Sequence, residues 1–469
     1  MSEGKPTIIG SGPAGMACAY TLAKADRPSS IIETELTPGG LCRTLDFKGY
    51  LFDIGGHRFL SKSPEINAFW REIMGDALLR VKRLSRIYYH KRYFNYPLSF
   101  CNTLINLGLL ESLLCVGSYL KQVYAKPVAQ DTFEGWVTSR FGKLLYEIFF
   151  KTYTEKVWGI SCKDISADWA SQRIRGLSLG VAISQAFLGS KSGAPKTLST
   201  EFLYPSQGPG EFYSIFQKHI EQYGVKFLFG KSVVKIKRSD YRIIACIVED
   251  KITGFKEECP IEYLFSTIPL PIFVRALDPP APQNVLKTAE KLNFRSFLVV
   301  NIILDRADIF KDQWVYVHAP QVKLARIQNY KNWSLKMVAD TQKTSLGLEY
   351  FCSEGDALWS MQDAELVKFA LNELEEVGIS SRAYFVDAFV VRYANVYLIY
   401  TLDYQVNRNI VYDYVQQLSN FQTLGRAGLF CYDNSDHALL TGIYAAKNYL
   451  EEGAFDLRSV NADKEYLES

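Results

Sequence analysis

Ile8-Ile9-Gly10-Ser11-Gly12-Pro13-Ala14-Gly15 opens the chain, and Ser30-Ile31-Ile32-Glu33 follows, with Glu33 eighteen residues after Gly15. An apolar strand, a Gly-x-Gly-x-x-Gly turn, a helix and a second strand ending in an acid form a dinucleotide-binding βαβ unit. Gly10 permits the tight turn, Gly12 lets the backbone reach a pyrophosphate, and Gly15 lets the helix pack on the strand. Pro13 and Ala14 begin that helix, whose amino end has spare N–H donors for phosphate and suits proline's fixed φ. Glu33 would accept hydrogen bonds from ribose hydroxyls and repel a 2′-phosphate, which disfavours NADP. A glycine turn without a ligand is the alternative reading, and the accompanying strand, helix and acid count against it.

Composition narrows the class. At 469 residues, with 48% hydrophobic and 22% charged residues, the chain is globular and too long for one simple core. A dispersed net charge of +3 gives no electrostatic case for nucleic acid. Five histidines and nine cysteines show no metal-ligand spacing and no Cys-x-x-Cys, so no metal is expected and the thiols read as reduced. Only nine residues precede Gly10, too few for a signal peptide, and a cytoplasmic location is expected. The apolar segment Thr103 to Val123 is interrupted by Asn106, Glu111, Lys121 and Gln122. It therefore reads as a packed helix rather than a stable membrane insertion, with a surface or membrane-facing helix as the alternative.

Periodicity predicts an α/β fold: a discontinuous Rossmann-like cofactor domain, a helical subdomain and a β-rich substrate domain. The cofactor domain is expected over residues 1–98, 201–270 and 420–452, the helical subdomain over 99–200 and the substrate domain over 271–419. Residues 453–469 read as an exposed polar tail. Within the helical part, Asp131 to Phe150 and Ala167 to Leu188 carry apolar residues three to four apart, and Lys191 to Thr200 reads as a loop. Strands are predicted at 297–304, 314–318, 324–329, 346–352 and 383–392, with a helix over 364–377.

The stretch Glu33-Thr34-Glu35-Leu36-Thr37-Pro38-Gly39-Gly40-Leu41-Cys42-Arg43-Thr44 resembles the second signature of a flavoprotein superfamily. That superfamily holds amine oxidases, protoporphyrinogen oxidases and UDP-galactopyranose mutases. The resemblance implies FAD as cofactor, with Gly39, Gly40, Leu41 and Arg43 against it; Arg43 is suited to neutralise pyrophosphate charge. Four more stretches are similar to the mutases in particular. Gly55-Gly56-His57-Arg58-Phe59 implies Gly56 and His57 at the flavin. The segment from Thr132 to Gly159 implies a nucleotide pocket with Tyr153 and Trp158, and Ala325-Arg326-Ile327 a diphosphate-binding arginine. Gly425-Arg426-Ala427-Gly428-Leu429-Phe430-Cys431-Tyr432-Asp433-Asn434-Ser435-Asp436 resembles the closing FAD signature, implying cofactor roles for Arg426 and Asp436 and a substrate contact from Tyr432.

A flat aromatic suits a nucleotide base and a guanidinium suits a diphosphate, so Tyr153 and Trp158, Arg173 and Arg326 are the candidate substrate contacts, and His57 and Arg326 the candidate catalytic residues. Taken alone, Trp158 reads as core, Arg173 as a solvated helix residue and His57 as a backbone partner. The family pattern has a second histidine at the position of Leu60 and tyrosines at those of Phe430 and Asp433. These departures remove donors and count against UDP-galactose as the substrate. Two activities follow from the resemblance: redox-neutral conversion of an anionic, nucleotide-linked or sugar-like small molecule, or hydride transfer from a small molecule to the flavin. An oligomer is compatible with either.

Overall fold

The computed structural model describes residues 5–75, 77–96, 98, 100–124, 130–173 and 201–460. Five short strands make a fully parallel sheet in the order Phe421–Thr423, Leu264–Ser266, Thr7–Ile9, Ser30–Ile32 and Lys226–Leu228. Parallel sheets are covered on both faces, which is why these strands are short apolar runs without alternation. Helix Pro13–Lys24 packs on the sheet and against helix Ser435–Tyr449. Two glycines set that closeness. A Cβ on Gly15 would sit 1.9 Å from the Gly10 carbonyl oxygen, and one on Gly442 would sit 2.1 Å from the Ala14 carbonyl oxygen.

A seven-stranded sheet faces this unit, in the order Phe385–Leu398, Phe294–Leu304, Thr344–Cys352, Arg326–Asn329, Trp314–Val317, Ser85–Tyr89 and Arg92–Asn95. The five predicted strands of the β-rich region are all present; those at Phe294–Leu304, Thr344–Cys352 and Phe385–Leu398 run beyond the expected bounds, and those at Trp314–Val317 and Arg326–Asn329 are shorter. Ser85–Tyr89 and Arg92–Asn95, within the 1–98 segment assigned to the cofactor domain, instead extend this second sheet through Trp314–Val317. Ser-Arg-Ile-Tyr-Tyr and Arg-Tyr-Phe-Asn, rich in aromatic and β-branched residues, form an antiparallel hairpin. A four-stranded sheet of Lys256–Pro260, Arg242–Asp250, Lys231–Ser239 and Leu277–Asp278 and two strand pairs, Thr44–Phe47 with Tyr50–Asp53 and Leu78–Lys82 with Glu201–Pro205, make up the rest of the β structure among the described residues.

The helical part contains Phe100–Leu107, Leu109–Tyr124, Phe133–Phe141, Thr152–Trp158 and Ala167–Arg173. The expected continuous helix over 131–150 is broken at Gly142, where φ is +81°, resumes over Lys143–Leu145 and passes into a π-helical turn over Tyr146–Lys151. Residues 174–200, which include most of the predicted helix to Leu188 and the loop at 191–200, lie outside the described residues. The exposed tail needs correction at its start. Leu457 and Val460 are buried in the core of the cofactor-binding half, and the Arg458 guanidinium lies 4.2 Å from the Tyr412 ring centre. Residues 461–469 lie outside the described residues. Among the described residues no helix is long and apolar enough to cross a membrane, and no cluster of His, Cys, Asp or Glu could hold a metal ion.

Candidate functional site

The first half of the site is built from backbone. Gly10 adopts φ +96°, as the turn requires, and its Cα faces Thr267 so closely that a Cβ would meet Thr267 Oγ1 at 2.0 Å. Gly12 caps helix Pro13–Lys24 without a side-chain bond, leaving the amino end accessible to a ligand. Opposite it stands the second glycine turn: Gly39 and Gly40 have φ of +113° and +55°, and a Cβ on Gly40 would lie 3.2 Å from Gly12 Cα. The two turns are held together by Gly39 N–H donating to the Ser11 carbonyl oxygen at 2.8 Å.

Side chains brace these turns from behind. Glu33 is buried, and its Oε2 accepts from Ser11 N–H at 2.7 Å and Ser11 Oγ at 2.8 Å, while Oε1 accepts from Glu35 N–H at 2.9 Å. The carboxylate thus fixes the glycine loop at the end of the second strand. Arg43 differs from its expected role. Its Nε donates to the Gly40 carbonyl oxygen at 3.0 Å and its Nη1 pairs with Glu35 Oε2 at 2.6 Å, so the guanidinium is committed to shaping the turn. Leu41 is half-buried against the aromatic cluster that holds Trp158. The closing segment supplies Gly425, whose φ of +74° brings it so near helix Pro13–Lys24 that a Cβ would meet Ala14 Cβ at 2.9 Å. Asp436 is buried in the first turn of helix Ser435–Tyr449, beside the capping box of Asn434 and His437.

The second half is built from side chains on separate strands and helices. Arg326, on strand Arg326–Asn329, pairs through Nε with Glu349 Oε2 of the neighbouring strand. Glu349 is fully buried, and although burial disfavours the guanidinium's charge, Glu349 and the tyrosines around it hold the pKa well above its ordinary value. Gly55 backs onto this arginine, a Cβ there falling 3.6 Å from Arg326 Nη2, and Gly56 lies tight against Gln328. His57 follows. Burial, reinforced by Arg326, Arg426 and Arg58, pushes its pKa down to about 4, so the imidazole is neutral at physiological pH.

Arg426 lies 3.9 Å from the Tyr432 ring centre and 5.4 Å from that of Tyr397; its Nη1 donates to the Asp433 carbonyl oxygen at 3.1 Å. Its Nε and Nη2 are buried and find no hydrogen-bond partner among the described residues. Trp158, fully buried, packs edge-on to Tyr432 at 5.7 Å, and its indole N–H is likewise unpartnered among the described residues. Tyr153 is half-buried, stacks on His318 at 4.8 Å and meets Tyr316 edge-on at 5.4 Å. It also contributes to the electrostatic surroundings of Arg326. His57, Tyr153, Trp158, Arg326, Arg426 and Tyr432, distant in sequence, therefore line one region. Arg173 closes helix Ala167–Arg173, and its side chain lies outside the described residues.

Several members had no signature. Tyr397, half-buried and between Phe351 at 5.0 Å, Phe297 at 6.0 Å and Tyr432 at 6.3 Å, is central to the wall. Burial pushes its phenol up to about 12. Lys156 is another: its buried ammonium donates to the carbonyls of Val317, Ala319 and Leu324 at 3.2, 2.7 and 3.2 Å, fixing the segment that carries His318 beside Tyr153. Phe430 does not enter the region. Its ring is fully buried and packs on Phe294 at 5.2 Å and Tyr400 at 6.2 Å.

Residues 8–73 match the NAD(P)-binding Rossmann-like domain family. The whole fold is similar to that of a reduced UDP-galactopyranose mutase, with a TM-score of 0.83 at 20% identity, over 99% of this chain and 97% of that one. A protein from Exiguobacterium assigned as a protoporphyrinogen oxidase superposes with a TM-score of 0.73 at 16% identity, covering 97% of this chain and all of that one. Putrescine oxidase bound to putrescine follows at 0.59 and 14% identity, over 95% and 99% of the two chains. These likenesses establish the shared fold.

Proposed function

We propose that the chain is an FAD-dependent enzyme that acts on an anionic, nucleotide-linked or sugar-like small molecule at the wall formed by Tyr153, Trp158, Arg326 and Tyr432. The observation that carries this reading is the meeting of two glycine turns and an accessible helix amino end with the buried, incompletely bonded guanidinium of Arg426. That set fits FAD. The helix amino end would take the pyrophosphate, Glu33 would hold the glycine loop in shape around it, and Arg426, His57 and Gly56 would border the ring system. When bound, the flavin would supply either nucleophilic or hydride chemistry at its central ring.

The protein's own part is binding and exclusion. Arg326, kept charged by Glu349, offers its free terminal nitrogens to a diphosphate or similar anion. Tyr153 offers an apolar face to a base, Trp158 backs the wall from the core, and the neutral His57 can donate or accept one hydrogen bond without adding charge. Oxidative turnover is the second reading. It is favoured by the acid at position 433, whose backbone carbonyl accepts from Arg426 and whose residue type weakens the case for a dianionic substrate.

Mass spectrometry of heat-released cofactor tests the first statement; recovery of NAD alone would overturn it. Anaerobic mixing with candidate sugars, before and after reduction, separates the reactions. Turnover only by reduced protein, with the flavin left reduced, identifies the redox-neutral reaction. Bleaching of oxidised flavin by substrate, restored by an acceptor, identifies the oxidoreductase.

A further inference from the structure

Lys156 follows Tyr153 by three residues on helix Thr152–Trp158, so the two side chains share a face of that helix. Its ammonium reaches the turn of residues 318–325, which joins strand Trp314–Val317 to strand Arg326–Asn329. There it donates to the carbonyls of Val317, Ala319 and Leu324. An ammonium has three N–H groups and no lone pair, so three carbonyls aimed at one point match it donor for acceptor. A neutral amine would bring two N–H groups and turn its lone pair on the third oxygen. The cation is what lets the three carbonyls converge. From the other side of the turn, Glu373 of helix Asp363–Glu376 accepts from Lys323 N–H at 2.7 Å and Leu324 N–H at 2.8 Å. Leu324 is thus held at both ends of its peptide, and two residues later the chain reaches Arg326.

The clamp joins the two members of the wall that differ most in chemistry. At one end of the turn His318 stacks on Tyr153, their rings 12° apart. At the other end Ala325 N–H donates to the Glu349 carbonyl oxygen at 3.0 Å, and Arg326 follows. A ligand that lays a ring on Tyr153 and an anion on Arg326 depends on the separation that Lys156 holds. An anion that meets Arg326 alone does not. Burial, partly offset by Glu373, brings the Lys156 pKa down from 10.5 to about 8. The surrounding groups keep one state between pH 7 and 9. His318 is pushed down to about 3 by burial, and burial holds the hydroxyls of Tyr153 and Tyr350 well above their ordinary value. Both oxygens of Glu373 accept from N–H groups, the bonding of an ionised carboxylate.

We propose that Lys156 is a positioning residue that sets the span between Tyr153 and Arg326, so that its cation selects ligands joining a flat ring to an anion, an inference that rests on the function proposed for that wall. Full-length protein as purified and its Lys156→Met variant, at equal dinucleotide content, are titrated with two probes. Uridine diphosphate carries ring and anion; inorganic pyrophosphate carries the anion alone. At pH 7 the variant is expected to bind uridine diphosphate about tenfold more weakly, and pyrophosphate within about twofold of the wild type. Between pH 7 and 9 the difference in uridine diphosphate affinity should close, because the wild-type side chain loses its proton while methionine has none to lose. General destabilisation would weaken both probes and would not close with pH. Hydrogen exchange of the amides at 318–326, without either probe at pH 7, is expected to be faster in the variant. Equal weakening of both probes, a uridine diphosphate difference unchanged at pH 9, or unaltered exchange would overturn the proposal. A wild type that binds neither probe while the exchange difference remains would overturn the function proposed for the wall, and selection by Lys156 with it.

Discussion

The two halves of the site solve the problem of holding a ligand in different ways. Around Gly10, Gly12, Gly39 and Gly40 the ligand-facing surface is main chain, and side chains such as Glu33 and Arg43 act from behind, holding loops in place. Around Arg326, Tyr397 and Trp158 it is side chain, and the main chain merely carries the residues on well-spaced strands and helices. A backbone site tolerates almost no added volume but little depends on any one side chain's chemistry. A side-chain site tolerates changes of shape but depends on charge balance in a buried setting.

The sharpest way to break the comparison is Gly15→Val. A Cβ there would stand 1.9 Å from the Gly10 carbonyl oxygen, with no flexible neighbour to give way. Loss of soluble protein, or of all dinucleotide from what remains, is expected. Native cofactor occupancy, by mass spectrometry of the released ligand, would show that the backbone surface is more plastic than its geometry implies.

Next in size is Glu349→Ala, which leaves Arg326 as an uncompensated buried charge and should destabilise the fold by about 3–5 kcal/mol. Denaturant titration reads this, and a loss below about 1 kcal/mol would mean that water reaches the guanidinium readily. Arg326→Lys keeps the charge but removes the planar fork; affinity for an anionic ligand should fall about tenfold, with dinucleotide content unchanged. Equal affinity in ligand titrations would take Arg326 out of the contact.

A test of another kind belongs to the seam between the halves. Asp53 accepts hydrogen bonds from Thr44 Oγ1 at 2.8 Å and from the Tyr204 hydroxyl, and its carbonyl accepts one from the Tyr330 hydroxyl at 3.0 Å. Burial pushes its carboxyl up to about 7 from an ordinary value of 3.8. The folded protein therefore retains a proton that the unfolded chain releases, so this contribution is present below about pH 4 and is lost as pH rises through about 7. The melting temperature of the wild type, relative to Asp53→Asn, should fall across that window. A flat difference between pH 4 and 7 would mean that the hydrogen bonds from Thr44 and Tyr204 outweigh burial.

The same contrast explains what could be read beforehand. Gly10 to Gly15, Glu33 and Gly39-Gly40 are legible because a backbone site needs particular residues at fixed local spacing. The strands over 297–304 and 346–352 are legible because continuous apolar runs suit a buried sheet. Tyr397 was not, since it lies on a strand of mixed exposure and acquires its setting only when Phe297, Phe351 and Tyr432 are brought to it. Lys156 was missed for a related reason: a lysine in a helix reads as solvated, and only the fold reveals three carbonyls around its ammonium. The pairing of Arg43 with Glu35 is not legible either, because a charge is visible in a sequence while its partner is not recognisable as such.

The order of strands in the parallel sheet also governs how the chain can come together. Neighbours in that sheet are drawn from residues 7–9, 30–32, 226–228, 264–266 and 421–423. Closing contacts across more than two hundred residues carries a large loop entropy, and topologies dominated by such distant pairings fold slowly. During synthesis the first two strands emerge long before the third, leaving their apolar edges open and prone to association until the rest arrives. Only once the strand at 421–423 has been made can Gly425 dock on the first helix, so the first motif to be translated is among the last to be completed.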